Sequence, residues 1–153
     1  MVRQLQPWHE NLAKRQVKSP KVYLRDTGLL HALLGIASFR ALEGHPELGA
    51  SWEGFVIEQI LRRVGDRHAY FWATHAGAEL DLLLLLRGKR YGVEVKYAGA
   101  PGMTKSMRGA SEDLKLTRLF VVYPGTESYE LDRRTVVVPL AEIGPRLSGR
   151  ARS

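Results

Sequence analysis

The segment that most narrows the folds open to this chain is Gly77–Tyr97, GAELDLLLLLRGKRYGVEVKY. Two β-like runs, 79–86 (ELDLLLLL) and 90–97 (RYGVEVKY), are separated by a tight glycine-containing turn and read as a hairpin. A third run, 68–74 (HAYFWAT), precedes them and extends the hairpin to a meander. Ahead of the meander, SWEGFVIEQILRRVG has apolar residues at 52, 55, 56, 57, 60, 61 and 64, the period of a helix, with Ser51 as N-cap and Gly65 just past the end. Behind it come a loop over 98–104, a helix within 105–115, and the buried strand TRLFVVY at 117–123. Helix, three strands, helix, strand predicts an α/β sandwich around a mixed sheet.

The flanks read as less ordered. Residues 1–25 carry six basic residues against one acidic, with Pro7 and Pro20 as punctuation, and read as an arm leading to the short strand KVYL. DTGLLHALLG, 26–35, reads as a short amphipathic helix, and 36–50 as a loop. ESYEL and TVVVPL read as further short strands, and GPRLSGRARS as a basic frayed tail. The expected division is an arm with a short helical segment at 1–50, the α/β domain at 51–145, and a flexible tail at 146–153.

The charged residues inside the apolar pattern ask for an explanation. In a strand Glu94 and Lys96 share one face while Val93 and Val95 share the other. A regular hairpin loop of two or four residues puts Asp81 on the face of Glu94 and Lys96: opposite Lys96 with two, facing Glu94 with four. A three-residue loop puts it on the other face, and the sequence does not fix the parity. The helix adds a fourth residue. At about 100° per residue from Trp52, Ile60 falls near 80°, Val64 near 120° and Glu53 between them at about 100°, in the middle of the buried face. Glu58 lies about 140° away and reads as ordinary surface.

Carboxylates grouped beside a lysine suit divalent magnesium or manganese, which take oxygen ligands and keep several waters. Asp81, Glu94 and the Val95 carbonyl would supply the protein ligands, with Glu53 supporting a ligand or a second ion. Lys96 would orient a water or neutralise charge developing on a phosphodiester. The competing reading is an Asp81–Lys96 cross-strand ion pair with Glu94 solvated and Glu53 at the rim. The five histidines show no ligand spacing, and GAPGMTKSMRG is glycine-rich without being a phosphate loop. Lys105 and Arg108 read as solvated charges within reach of a phosphate backbone.

With 23 Lys and Arg against 16 Asp and Glu, the chain carries a formal +7, which favours an anionic partner. It has no cysteine, so disulfides, thiolate zinc sites and a cysteine nucleophile are excluded. Its longest apolar run, Leu82 to Leu86, is far too short to cross a bilayer. A cytoplasmic location is the expectation.

Taken together, the landmarks SPKVYLRDTGLLHALLG, GASWEGFVIEQIL, GAELDLLL, GVEVKY and LFVVYPG resemble the PD-(D/E)XK nuclease superfamily. More closely, they resemble the domain of unknown function found C-terminal to the ATPase module of predicted prokaryotic AAA-type ATPases. The resemblance covers about residues 17 to 140 and implies a restriction-endonuclease-like sandwich. It also implies catalytic roles for Glu53, Asp81, Glu94 and Lys96, a Mg2+ or Mn2+ cofactor, a nucleic-acid substrate, most naturally DNA, and an ATPase module in the same or another chain. Leu80 departs from the proline of the motif's name, and no G-x-x-x-x-G-K loop occurs, so ATP binding is not assigned to these residues. The alternative is a catalytically silent nucleic-acid-binding or regulatory domain, or a protein-interaction module using the helix at 26–35.

Overall fold

The computed structural model of the protein describes residues 1–11 and 13–149. In chain order its elements are β1 (Val2–Pro7), β2 (Lys21–Leu24), α1 (Thr27–Leu33), α2 (Phe39–Glu43), α3 (Leu48–Val64), β3 (Ala69–Ala73), β4 (Glu79–Leu86), β5 (Lys89–Val95), α4 (Lys105–Asp113), β6 (Arg118–Tyr123), β7 (Tyr129–Glu130), β8 (Thr135–Pro139) and α5 (Leu140–Ser148). Among the described residues, eight strands make one mixed sheet in the order β2-β1-β3-β4-β5-β6-β8-β7. The β3–β4–β5 meander is antiparallel, whereas β5, β6 and β8 run parallel. The expected α/β class with a mixed sheet is therefore what the chain adopts.

Both faces of the sheet are covered, and each by residues whose spacing suits the job. On one face α3 contributes Val56, Ile57, Ile60 and Leu61, and α5 contributes Ile143 and Leu147, all packed on Leu82, Leu84, Val93 and Phe120. On the other, Met107 and Ala110 of α4, with Leu114 just past its end, pack on Trp72, Leu80, Leu83 and Leu119. Beneath this layer, a Cβ on Gly92 would lie 2.5 Å from Leu116 Cδ1 and 2.9 Å from Leu119 Cδ1, so a larger residue there forces these side chains to shift.

Several flanking expectations are overturned. Val2–Pro7, read as part of an arm, is a strand paired antiparallel to β2 and parallel to β3. Its alternation is that of a half-buried strand: Arg3 and Leu5 point inward while their neighbours face out. The loop read over 36–50 contains α2, capped by Ser38 Oγ, which accepts the Ala41 N–H. Helix α3 starts at Leu48 rather than at a Ser51 cap; Ser51 lies inside it, buried, 2.6 Å from His31 Nε2. The tail read from 146 is in part helix α5, which holds Ile143 and Leu147 in the core. Its last residues, 150–153, lie outside the described residues.

Glu58, read as ordinary surface, is only 3 % exposed. The helical angle was right, but β1 covers that side of α3. Arg3 Nε donates to Glu58 at 2.6 Å, Arg25 at 2.9 Å and Arg62 at 3.4 Å, and Arg3 also reaches Asp66 at 2.9 Å. Burial works against the Glu58 carboxylate, but Arg3 and Arg25 outweigh it and hold its pKa down to about 2.

Candidate active site

The site begins with an irregularity in β4. Tyr70 pairs with Leu83 and Trp72 with Leu80, so one residue of β3, Phe71, faces two of β4, Asp81 and Leu82. This is a β-bulge, a feature that breaks the pleat and re-aims side chains. Its effect is visible in the core: Leu80 packs on the α4 face, whereas Leu82 packs on the α3 face. Strict alternation would have put two residues spaced by two on the same side.

The turn settles the register. Leu86 pairs with Lys89 around the two-residue loop Arg87–Gly88, in which both residues have positive φ, 51° and 71°, as a twisted hairpin turn of this length requires. Lys89 thus belongs to β5, one residue earlier than the strand read from sequence. Leu82 pairs with Val93, and beyond that pair Asp81 meets β5 through its side chain at the Val95 N–H rather than standing opposite Lys96 as expected for a two-residue loop.

Asp81 is 5 % exposed, and its Oδ2 accepts the Val95 backbone N–H at 2.8 Å. Burial, together with the nearby Glu94 and Glu53 charges, pushes its pKa well above the usual carboxylate range; the Val95 N–H and Lys21 pull the other way. Glu94, also 5 % exposed, meets Lys96 Nζ through Oε1 at 2.7 Å, while its buried Oε2 has no hydrogen-bond partner. Burial raises the Glu94 pKa against the pull of Lys96. The Asp81–Lys96 pair with a solvated Glu94, the competing reading, is not what forms.

Two elements supply the rest. Glu53 of α3 accepts the Tyr23 hydroxyl at 2.6 Å. Lys21 of β2 lies between three carboxylates, 2.6 Å from Glu79, 3.5 Å from Glu53 and 3.8 Å from Asp81. Burial disfavours the Lys21 ammonium, but those carboxylates more than compensate and raise its pKa. The Tyr23 hydroxyl is raised strongly by burial and the Glu53 charge. Glu79 is fixed from the other face, where Ser106 Oγ of α4 accepts its N–H at 2.9 Å and donates to its carbonyl at 3.1 Å.

Glu53 and Asp81 thus meet around Lys21, with Glu94 and Lys96 joined to them through the Val95 backbone and through charge. Sequence reasoning missed Lys21, Tyr23 and Glu79. The signal for the first two was K-x-Y in the strand KVYL, two charged or polar groups on one strand face. Among the described residues, no three His, Cys, Asp or Glu side chains lie together as a ready metal-holding group. Nor is any helix among them long and apolar enough to cross a membrane.

Fold and site define an α/β protein with buried acidic residues gathered at a bulge in a mixed sheet. The sequence model described as "Domain of unknown function (DUF4143)" matches residues 48–143, and the chain belongs to that family. A second, "Domain of unknown function (DUF8612)", matches residues 1–40. Two curated relatives, "Uncharacterized protein Rv2008c" of Mycobacterium tuberculosis and "Uncharacterized protein Mb2031c" of Mycobacterium bovis, are each 51 % identical over 143 residues, 94 % of this chain. The aligned part is 32 % of each relative's length.

Proposed function

We propose that the acidic end of the sheet is the divalent-cation centre of a restriction-endonuclease-like, PD-(D/E)XK type phosphodiester hydrolase acting on nucleic acid. The observation that carries this reading is Glu94 Oε2, a buried carboxylate oxygen without a partner. A buried carboxylate normally has its oxygens hydrogen-bonded or bound to a cation. The donor set fits a hard cation. Asp81 and Glu94 bring carboxylate oxygens, and the Val95 carbonyl projects from its strand on the same side as the N–H that Asp81 accepts. Magnesium or manganese held there would polarise a phosphodiester and make bound water more acidic.

The chain's own residues do the rest. The Val95 N–H fixes one Asp81 oxygen and leaves Oδ1 for a ligand. Lys96, joined to Glu94 and 40 % exposed at its side chain, offers an ammonium to a phosphate oxygen as charge builds there. Glu53, oriented by the Tyr23 hydroxyl, supports the centre from the helix side. The formal charge of +7 favours a polyanion such as DNA, and the absence of cysteine accords with a cytoplasmic setting. An AAA-type ATPase module is the proposed partner, in the same or another chain, since the relatives are about three times longer than the part that aligns.

One observation favours a second reading. Lys21 already brings a cation to Glu53, Glu79 and Asp81, which suits a silent scaffold that binds nucleic acid without turning it over. Calorimetric titration with Mn2+, alone and with a short DNA duplex, separates the two. The hydrolase reading expects uptake by the wild type that is lost in Asp81→Asn; absence of uptake with and without DNA leaves the scaffold.

A further inference from the structure

We infer that Lys21 is a built-in counter-ion of the acidic centre, which holds Glu53, Glu79 and Asp81 in the metal-free protein and must withdraw when a divalent cation enters. The inference rests on the metal-centre reading above and goes beyond it in assigning a role to a strand outside the D…E-x-K constellation. Lys21 Nζ makes its closest contact with Glu79, at 2.6 Å, and stands 3.8 Å from Asp81 Oδ1, the carboxylate oxygen that Val95 does not engage. A divalent cation takes its oxygen ligands at about 2.0–2.6 Å. An ion on Asp81 Oδ1 therefore faces the Lys21 ammonium at short range beside a carboxylate that is itself buried. Like charges in that position repel far more strongly than at a solvated surface.

The surroundings allow the lysine to move. It sits in β2, the last strand at one edge of the sheet, whose other side has no strand neighbour among the described residues. Its side chain is 26 % exposed, and Glu79, its nearest partner, is 47 % exposed, so an outward swing keeps one carboxylate contact while releasing Asp81 and Glu53. Lys96 offers no such route of exchange, because it is paired to Glu94 on its own strand. In chemical terms the two lysines divide the work: Lys96 meets substrate charge, and Lys21 stands in for the cation until one arrives. A centre of this kind selects for divalent over monovalent cations, since the incoming ion has to outcompete a resident single charge held by several carboxylates.

The test compares Mn2+ affinity by calorimetry in the wild type, Lys21→Met and Lys21→Arg, with circular dichroism confirming that each is folded. Alongside it, an amine-acylating reagent and mass spectrometry report the reactivity of Lys21 with and without Mn2+. The expected result is Mn2+ binding about tenfold or more tighter in Lys21→Met, near wild-type affinity in Lys21→Arg, and a rise in Lys21 acylation when Mn2+ is added. Mn2+ uptake that is equal in the wild type and Lys21→Met, or acylation of Lys21 that Mn2+ does not raise, overturns the inference while leaving the metal centre standing. No uptake by any of the three proteins overturns the metal centre itself.

Discussion

The Asp81 carboxylate accepts the Val95 backbone N–H at 2.8 Å, beside the bulge that β4 makes against β3 and just beyond Leu82–Val93, the last pair of the β4–β5 ladder. A side chain thereby engages the β5 backbone where the ladder has ended. The same contact keeps a buried acid next to Glu94, and both acids are raised in pKa by their burial.

The first prediction concerns pH. An acid whose pKa is raised on folding binds its proton more tightly in the native state, so stability is greatest below the unfolded pKa of about 3.9 and falls as pH rises through the native value. Asp81→Asn keeps an oxygen to accept the Val95 N–H and removes the ionisation. Without metal it should therefore match the wild type near pH 3 and exceed it at pH 7. Urea unfolding at the two pH values measures the difference, and equal stabilities at pH 7 would remove the basis for a strained carboxylate.

Glu58 should behave in the opposite sense. Its pKa falls to about 2, so its contribution is present above the unfolded value of 4.5 and is lost as pH drops toward 2. Glu58→Gln strands Arg3 in the interior with only Asp66 to pair it, and is expected to cost about 3 kcal/mol at pH 7. Repeating the denaturation near pH 2 should shrink that difference. A mutant as stable as the wild type at pH 7 would mean that the Arg3–Glu58 pair adds nothing to the hold that Leu5 and the strand pairing give β1.

Helix α5 is core, not tail. Leu147 is fully buried between α3 and the sheet, so Leu147→Ala should cost about 2–5 kcal/mol and lower the melting temperature accordingly. A change within a few tenths of a kcal/mol would place α5 off the domain.

Gly92→Ala tests the packing beneath α4. The added methyl would meet Leu116, Leu119 and Leu80 at 2.5, 2.9 and 3.2 Å, and overpacking of this kind costs about 1–3 kcal/mol. Thermal unfolding provides the check. Combined with Leu116→Ala, the loss should be smaller than the sum of the two single losses.

The meander, helix α3 and the placement of Glu94 beside Lys96 were legible because they follow from period alone. Lys21 was not, since a lysine in a basic arm carries no mark of the strand partner that will bring it to Asp81. Glu58 shows the limit of a helical wheel: the angle was right, but the wheel does not say that β1 lies over it. The bulge at Asp81 was hidden for a related reason, because alternation counted along ELDLLLLL assumes an unbroken pleat. Helix α5 escaped notice because Gly144, Pro145 and Gly149 read as breakers, while Ile143 and Leu147, one turn apart, hold it in place.

The position of β1 between β2 and β3 has a consequence for how this domain is handled and inherited. The two matching sequence models, one ending at residue 40 and the other starting at 48, divide a sheet that is continuous across them. A fragment cut between them would leave β3 with a bare edge, a template for sticking to other chains, and would take Lys21 and Tyr23 away from Asp81 and Glu53. The two stretches belong to one sheet, and the shorter one covers the edge that the longer one would otherwise leave bare.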